Sequence, residues 1–424
     1  MAYIHRAQER LVQKYSDLFK VVVVTGPRQV GKTTMLMHLI DAECREGARR
    51  SYVSLDTTSQ RLLAKEDPAL FLERYSPPVL IDEIQYVPEL FSYIKRATDL
   101  SDTMGAYWLT GSQPFRLMKG LSEPLAGRVG IIEMQGLSNS EIAGIKSEPY
   151  QPEPDYFLRR ARAARKLNLS ETYRRIMQGS FPAIASLPSD TLAAGYDALV
   201  DTYLMRDIRD LTQVADEQKF RKFIAACAAL TSRPVVYSEL ARIADIDEKT
   251  AKSWLSLLIS SYLIVLIQPY YNNIIKRIAK RPVMHFLDTG LAAHLAGWES
   301  PVALERGALS GQVFESYVFG ELYKSFANAG IRPPLHFFRT NDKKEIDLLL
   351  EQNGVLSPIG IKKGASPSSA DTRHFNALDP VAQDDVPPEL LAFKRETGTG
   401  CVVCMADDAY PINRSSWALP AWAI

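Results

Sequence analysis

Short apolar runs alternate with stretches of helical spacing in the early part of the chain, and each run ends in polar residues. The clearest run is Val21-Val22-Val23-Val24. A continuous apolar run bounded by turn residues predicts a strand buried on both faces. Residues 7–20 ahead of it carry amphipathic helical spacing, and Met35-Leu36-Met37-His38-Leu39-Ile40 behind it has helical character. A short strand is predicted over 50–56. An apolar strand over 77–83 closes on Asp82 and Glu83, a helix covers 89–100, and a strand over 106–113 closes on Ser112 and Gln113. Strands alternating with helices predict an α/β fold with a parallel sheet and right-handed crossovers. Ligands of such sheets bind at the carboxyl ends of the strands, where these polar residues fall.

Near Leu137 the pattern changes. Residues 138–175 are charged with helical spacing and a proline-rich break at 149–154, and a further helical segment covers 191–211. From about Phe220 the order is helix, helix over 238–244, short turn, helix over 247–259, then a strand over 262–267 and a turn at 270–273. Helix, turn, helix and hairpin is the order of a winged helix-turn-helix. The last segment predicts a helix over 313–326, strands over 336–339, 345–351 and 358–362, and then a polar helical region.

The loop after the first strand reads Thr25-Gly26-Pro27-Arg28-Gln29-Val30-Gly31-Lys32-Thr33-Thr34. This is the phosphate-binding pattern, with a strand before it and a helix after it as the pattern requires. Gly26 and Gly31 allow backbone angles that turn N–H groups inward to make an anion nest, and the following helix adds its positive end. Lys32 is expected to reach the β- and γ-phosphates of ATP, and the Thr33 hydroxyl to bind Mg²⁺. Asp82 is the expected acid in the Mg²⁺ shell, with Glu83 positioning the attacking water. Ser112 and Gln113 are candidates to sense the γ-phosphate. Arg128 is either an arginine finger or a surface arginine at a turn.

The composition fits an ordinary globular chain. It has 424 residues, 46% hydrophobic and 23% charged, with a net charge of +1. Any nucleic-acid contact must therefore come from a local patch. The start Met1-Ala2-Tyr3-Ile4-His5-Arg6 has no signal-peptide core, and the longest apolar stretch, 255–267, is broken by Ser256, Ser260, Ser261 and Tyr262. Both point to the cytoplasm and away from a membrane. Four cysteines in a chain this long make no disulfide framework, and Cys401-Val402-Val403-Cys404, lacking a second pair, is read as core.

Several further segments carry a resemblance. Leu80-Ile81-Asp82-Glu83-Ile84-Gln85, Leu109-Thr110-Gly111-Ser112-Gln113, Leu125-Ala126-Gly127-Arg128, Gln178-Gly179-Ser180-Phe181-Pro182 and Phe286-Leu287-Asp288-Thr289-Gly290-Leu291 stand beside the loop. Together they resemble a family of prokaryotic AAA-type ATPases with a winged-helix segment and a nuclease-like C-terminal domain. The likeness covers almost the whole chain. It implies an AAA-type P-loop ATPase core over 1–137, a helical lid over 138–215, a winged helix-turn-helix over 216–300 and a restriction-endonuclease-like domain over 301–424. It also implies ATP binding and hydrolysis.

The partner stays open between double-stranded DNA and a protein. Lys249, Lys252, Lys276, Arg277, Lys280 and Arg281 form the basic cluster of the winged-helix segment, suited either to phosphates or to protein packing. In the nuclease-like fold a helix supplies a Glu, a strand an Asp and the next strand a Glu-x-Lys, with the acids holding a divalent metal. Glu315, Asp347 and Lys362 occupy those places. Gly360 stands where the family pattern has a carboxylate, and strand alternation puts it on the face of Lys362. This chain then has either a degenerate site or an active nuclease in which Glu345 compensates. The resemblance also implies a homo-oligomer that completes the site in trans, with Arg128 as the expected finger and Arg206 and Arg209 as alternatives.

Overall fold

The computed structural model describes residues 3–45, 47, 49–112, 127–204, 216–271, 281–340, 344–378 and 395–424. Gln113, Arg206, Arg209, Lys276, Arg277 and Lys280 lie outside the described residues. The chain divides into two compact units. One holds residues 1–137 with 260–262 and 327–331, and the other holds the rest.

The first unit is built on a five-stranded sheet. Its strands are β1 (Val21–Thr25), β2 (Ser51–Ser54), β3 (Val79–Asp82), β4 (Tyr107–Gly111) and β5 (Val129–Glu133). The order is β2-β3-β4-β1-β5, and every pairing is parallel. The four valines of β1 are fully buried, as strands covered on both faces must be. Val21 and Val23 join Ile81, Leu109, Phe71 and Phe91 in one apolar cluster. Helix α1 (Glu9–Leu18) is shorter than its predicted span because Phe19 is extended. Ser16 on α1 accepts from Trp108 Nε1 at 2.8 Å, which ties the helix to β4. Helix α2 (Lys32–Arg45) starts directly on the phosphate loop. Strand β1 therefore lies between β4 and β5 while the chain's next strand is at the far edge. The sheet switches direction of growth at β1, and its loops open a crevice there.

In the second unit helices at Asn139–Ala143, Pro154–Ala163 and Leu169–Gln178 follow one another. The segment expected as helix over 191–211 is α-helical at Leu192–Leu199 and continues as a π-turn, Val200–Leu204. Helices Glu217–Ala229, Tyr237–Ala244 and Glu248–Ser260 come next, with a small antiparallel sheet β6 (Arg233–Pro234), β8 (Val283–Phe286) and β7 (Ile264–Ile267) in that order.

The last sheet contains β9 (Leu335–Arg339), β10 (Glu345–Gln352), β11 (Val355–Ile361), β12 (Glu396–Thr397), β13 (Gly400–Cys404), β14 (Tyr410–Asn413) and β15 (Ser416–Pro420). Their order is β14-β15-β13-β11-β10-β9, with β12 paired to β11. The polar helical region expected after Lys362 is, among the described residues, only a 3₁₀ turn, Phe375–Leu378, before the chain re-enters the sheet. Cys401 and Cys404 are buried on opposite faces of β13 as unbonded thiols, and burial pushes both up. One apolar cluster draws Tyr156 and Tyr173 from the early helices, Val283 from the small sheet, and Phe314, Ile359 and Trp422 from the last segment. All three segments share this core.

Candidate functional site

The phosphate loop is shaped by residues that other side chains would not replace. Gly26 has φ +144°, and a Cβ there would sit 2.0 Å from the Met134 carbonyl oxygen. Gly31 has φ 93° and Gln29 φ 59°, so the loop turns through left-handed backbone on its way into α2. Pro27, Arg28, Val30 and Thr34 complete it, with Val30 buried. Arg6 holds the loop from behind. Its buried guanidinium donates to Val30 O and Gln135 O, both at 2.7 Å.

Lys32 is buried, and its Nζ donates to Gly26 O at 3.0 Å and Pro27 O at 2.6 Å. Thr33 Oγ1 donates to Asp82 Oδ1 at 2.8 Å. Asp82 ends β3, so the sheet delivers it to the start of α2. The same Oδ1 accepts a short bond from the Thr110 hydroxyl, and Oδ2 accepts from Tyr52 at 3.3 Å. Burial, and then the charge of Asp82, raises the Tyr52 phenol above its ordinary range.

Glu83 adopts left-handed backbone, φ 56° and ψ 46°, anchored by its N–H on Thr110 Oγ1 at 3.0 Å. A non-glycine residue in this region is held there by its surroundings. Its Oε2 accepts from Gln85 Nε2 and from the Ser112 hydroxyl at 3.3 Å. Ser112 Oγ also accepts from Gln85 at 3.2 Å and from Arg28 Nε at 3.2 Å. Arg28 reaches on to the Tyr86 hydroxyl at 3.3 Å. The loop, β3 and β4 thus converge on one set of side chains at the carboxyl ends of the strands.

Arg128 is elsewhere. It precedes β5, at the amino ends of the parallel strands, and pairs with Asp99 at 2.7 Å. The five residues of β1 separate that edge from the phosphate loop by roughly 13 Å along the strand. A finger role for Arg128 within its own chain is excluded by this placement.

In the second unit, Asp347 Oδ2 accepts from Ile361 N–H at 2.7 Å and lies 3.5 Å from Lys362 Nζ. Glu315, on the helix Ser310–Ala327, faces the same group. Burial first, and the negative charge of Asp347 next, push its carboxyl up to about 8. Two carboxyl groups and a lysine converge, and the charge of Asp347 disfavours ionisation of Glu315 while Lys362 favours it. Glu345 is drawn instead to Arg339 at 2.8 Å. Gly360 does not share this site. A Cβ there would meet Phe375 at 3.5 Å and Val402 at 3.8 Å, in the apolar cluster on the other face of the sheet. The expected common face with Lys362 fails because β11 ends at Ile361, and Lys362 lies past the pleat. Lys249, Lys252 and Arg281 are exposed.

Arg6, Tyr52, Thr110 and the holding role of Gln85 were not legible in the sequence. An isolated arginine near the start and a tyrosine on an edge strand give no motif. Gln85 was part of a recognised segment but had no assigned chemistry.

Residues 18–143 match the family model described as an AAA domain. Residues 170–302 and 310–424 match two domains of unknown function, DUF8612 and DUF4143. An uncharacterized protein of Mycobacterium tuberculosis, Rv2008c, is 29% identical over 360 residues, 85% of this chain and 74% of the relative. Its counterpart in Mycobacterium bovis, Mb2031c, matches to the same extent. Among solved structures, the Walker-type ATPase PABY2304 of Pyrococcus abyssi is similar at 14% identity and a TM-score of 0.42, over 68% of this chain and 94% of that one. AMPPCP-bound DnaA from Aquifex aeolicus is similar at 15% identity and a TM-score of 0.29, over 60% and 88%. With the loop geometry, the domain match makes residues 18–143 an AAA-type P-loop ATPase domain. Among the described residues, no helix is long and apolar enough to cross a membrane.

Proposed function

We propose that the chain is a Mg²⁺-dependent ATPase whose hydrolytic site is Lys32, Thr33, Asp82 and Glu83. The reading rests on the Thr33–Asp82 pair beside a phosphate loop, with Glu83 held next to it. The donor set fits the nucleotide. A buried amine held by two loop carbonyls can exchange them for phosphate oxygens, and a hydroxyl beside a carboxylate suits a hard cation. ATP with Mg²⁺ supplies, when bound, the phosphoryl group and the charge that neutralises it. Lys32 and the loop hold the phosphates. Thr33 and Asp82 fix the cation's side of the site. Glu83, restrained by Gln85 and Ser112, orients a water and takes its proton. Purified protein should release phosphate from ATP only with Mg²⁺, and Lys32→Ala should lose ATP binding. Wild-type protein that fails to bind ATP would overturn the reading.

A second reading concerns the back half, proposed as a lid over 138–215, a winged helix over 216–300 and a nuclease-like domain over 301–424. The converging Glu315, Asp347 and Lys362 support a weak divalent-metal site with little or no cutting. Exposed Lys249 and Lys252 on one helix suit coupling of nucleotide state to double-stranded DNA. In a homo-oligomer Arg128 could exchange Asp99 for a nucleotide held by a neighbouring subunit. ATPase rates with and without duplex DNA at two salt concentrations test the coupling. A salt-sensitive stimulation supports it, and no binding at low salt leaves the protein-partner alternative.

A further inference from the structure

Away from the phosphate side of α2, three side chains from two short segments meet. His5, Glu9 and His38 place one ligand atom each within 4.8 Å of one another. His38 lies on α2, within two turns of Lys32. His5 and Glu9 bracket Arg6, the residue that holds Val30 in the phosphate loop.

The group is ordered by its neighbours. Glu9 Oε1 is taken by the Tyr3 hydroxyl and the Arg6 N–H, both at 2.7 Å. That leaves Oε2 facing His5 Nδ1 at 3.3 Å. The Tyr3 ring stacks on His38 with centroids 4.1 Å apart, which sets the imidazole's plane. The two imidazoles stand edge to face, 5.2 Å apart at 81°, rather than stacked. A carboxylate whose second oxygen is held by outer partners, with a ring fixed by packing, is how metal ligands are oriented.

We propose that His5, Glu9 and His38 bind a divalent transition ion of the Zn²⁺ or Co²⁺ class. Two imidazoles and a carboxylate are a ligand set for such ions, with a fourth position left to water. Tetrahedral bonds of about 2.0–2.1 Å need ligand atoms roughly 3.4 Å apart. His5 Nδ1 and Glu9 Oε2 already stand at 3.3 Å, and the remaining ligand separations, within 4.8 Å, need to close by at most about 1.4 Å. The hard ions Mg²⁺ and Ca²⁺ prefer oxygen ligands and are poorly suited to this set. A bound ion would clamp residues 3–9 onto α2 and so stiffen the segment from which Arg6 holds the loop.

The test is titration of the EDTA-treated, nucleotide-free full chain with Co²⁺, followed by visible d–d absorption. An intense band of low-coordinate cobalt is expected, displaced by Zn²⁺. His5→Gln and His38→Gln should each weaken binding at least about tenfold, the least that losing even an outer partner costs. Amide exchange over residues 3–9 should slow when Zn²⁺ is added to wild type and not to His5→Gln. His5 is exposed, so its variant carries the test if His38→Gln fails to fold. Cobalt bound at Glu315 and Asp347 would show only the weak bands of oxygen ligation. Weak bands alone, or an intense band unchanged in both histidine variants, would overturn the proposal.

Discussion

Thr33 Oγ1 donates a 2.8 Å hydrogen bond to Asp82 Oδ1, joining the first turn of α2 to the end of β3. The bond puts a hydroxyl and a carboxylate where one hard cation could take both. Asp82→Asn keeps the shape and removes the charge. Mg²⁺-dependent phosphate release should fall by about a hundredfold or more, while ATP binding measured in EDTA persists. An unchanged dependence of rate on Mg²⁺ concentration would remove Asp82 from the cation's side of the site.

Glu83 is held in left-handed backbone with Gln85 and Ser112 on its carboxylate. Glu83→Gln should bind ATP as wild type does and lose roughly 10²–10⁴ in kcat, the usual worth of a positioned base. Gln85 acts through Glu83, so Gln85→Ala should lower kcat while leaving KM for ATP near the wild-type value. A change in KM with kcat preserved would make Gln85 a nucleotide contact instead.

The nucleotide loop and its two acids were legible because their chemistry is local. Gly26, Gly31, Lys32 and Thr33 all fall within residues 26–33, and Asp82 and Glu83 close a run whose burial is written in its own residues. The parts that were not legible depend on contacts distant in sequence. Arg6 finds Gln135 across the sheet. Ser112 gains its meaning from Arg28 and Gln85, brought together only by the strand order. Arg128 stood between a finger and a surface arginine. The strand after it, Val129–Glu133, was not among the predicted ones, so the amino-edge placement that keeps Arg128 from the loop of its own chain came only with the fold.

That placement makes a clean prediction for Arg128. Its partner Asp99 and its own side chain are both partly exposed. An exposed ion pair contributes about 0–1 kcal/mol. Arg128→Ala should leave the fold intact, and at concentrations where the chain is monomeric its ATP turnover should stay within about twofold of wild type. If Arg128 acts across a subunit interface, mixing Arg128→Ala with Glu83→Gln subunits restores activity above either alone. No recovery, with exchange of subunits demonstrated, argues against a role in trans.

Gly360 offers a test of the back-half geometry. A side chain there would meet Phe375 and Val402, not Asp347. Gly360→Glu should therefore add no Mn²⁺ affinity by calorimetry. It should cost at least about 2 kcal/mol in denaturant unfolding, because a carboxyl enters an apolar cluster without a partner. A rise in metal affinity would show that position 360 turns toward Glu315 and Asp347 after all.

His285 sets an acid limit on the second unit. It is fully buried on β8, stacked on Phe319 with centroids 4.2 Å apart and within 3.2 Å of Ser316 Oγ. Burial pushes its imidazole from 6.5 down to about 3. The unfolded chain then binds this proton at a higher pH than the folded chain does. Between pH 6.5 and 3 the unfolded state holds one more proton, so stability falls as pH falls, and above 6.5 the contribution is present in full. Within that window the slope of unfolding free energy against pH should be steeper in wild type than in His285→Gln by about 1.4 kcal/mol per pH unit. Urea unfolding at a series of pH values measures both slopes, and comparing them cancels the carboxylates common to the two proteins. His285→Gln should be the less stable protein at pH 8, where the stacked ring is neutral and its packing is the whole difference. Equal slopes would mean that water reaches the imidazole in the folded state and that it titrates there as it does in the open chain.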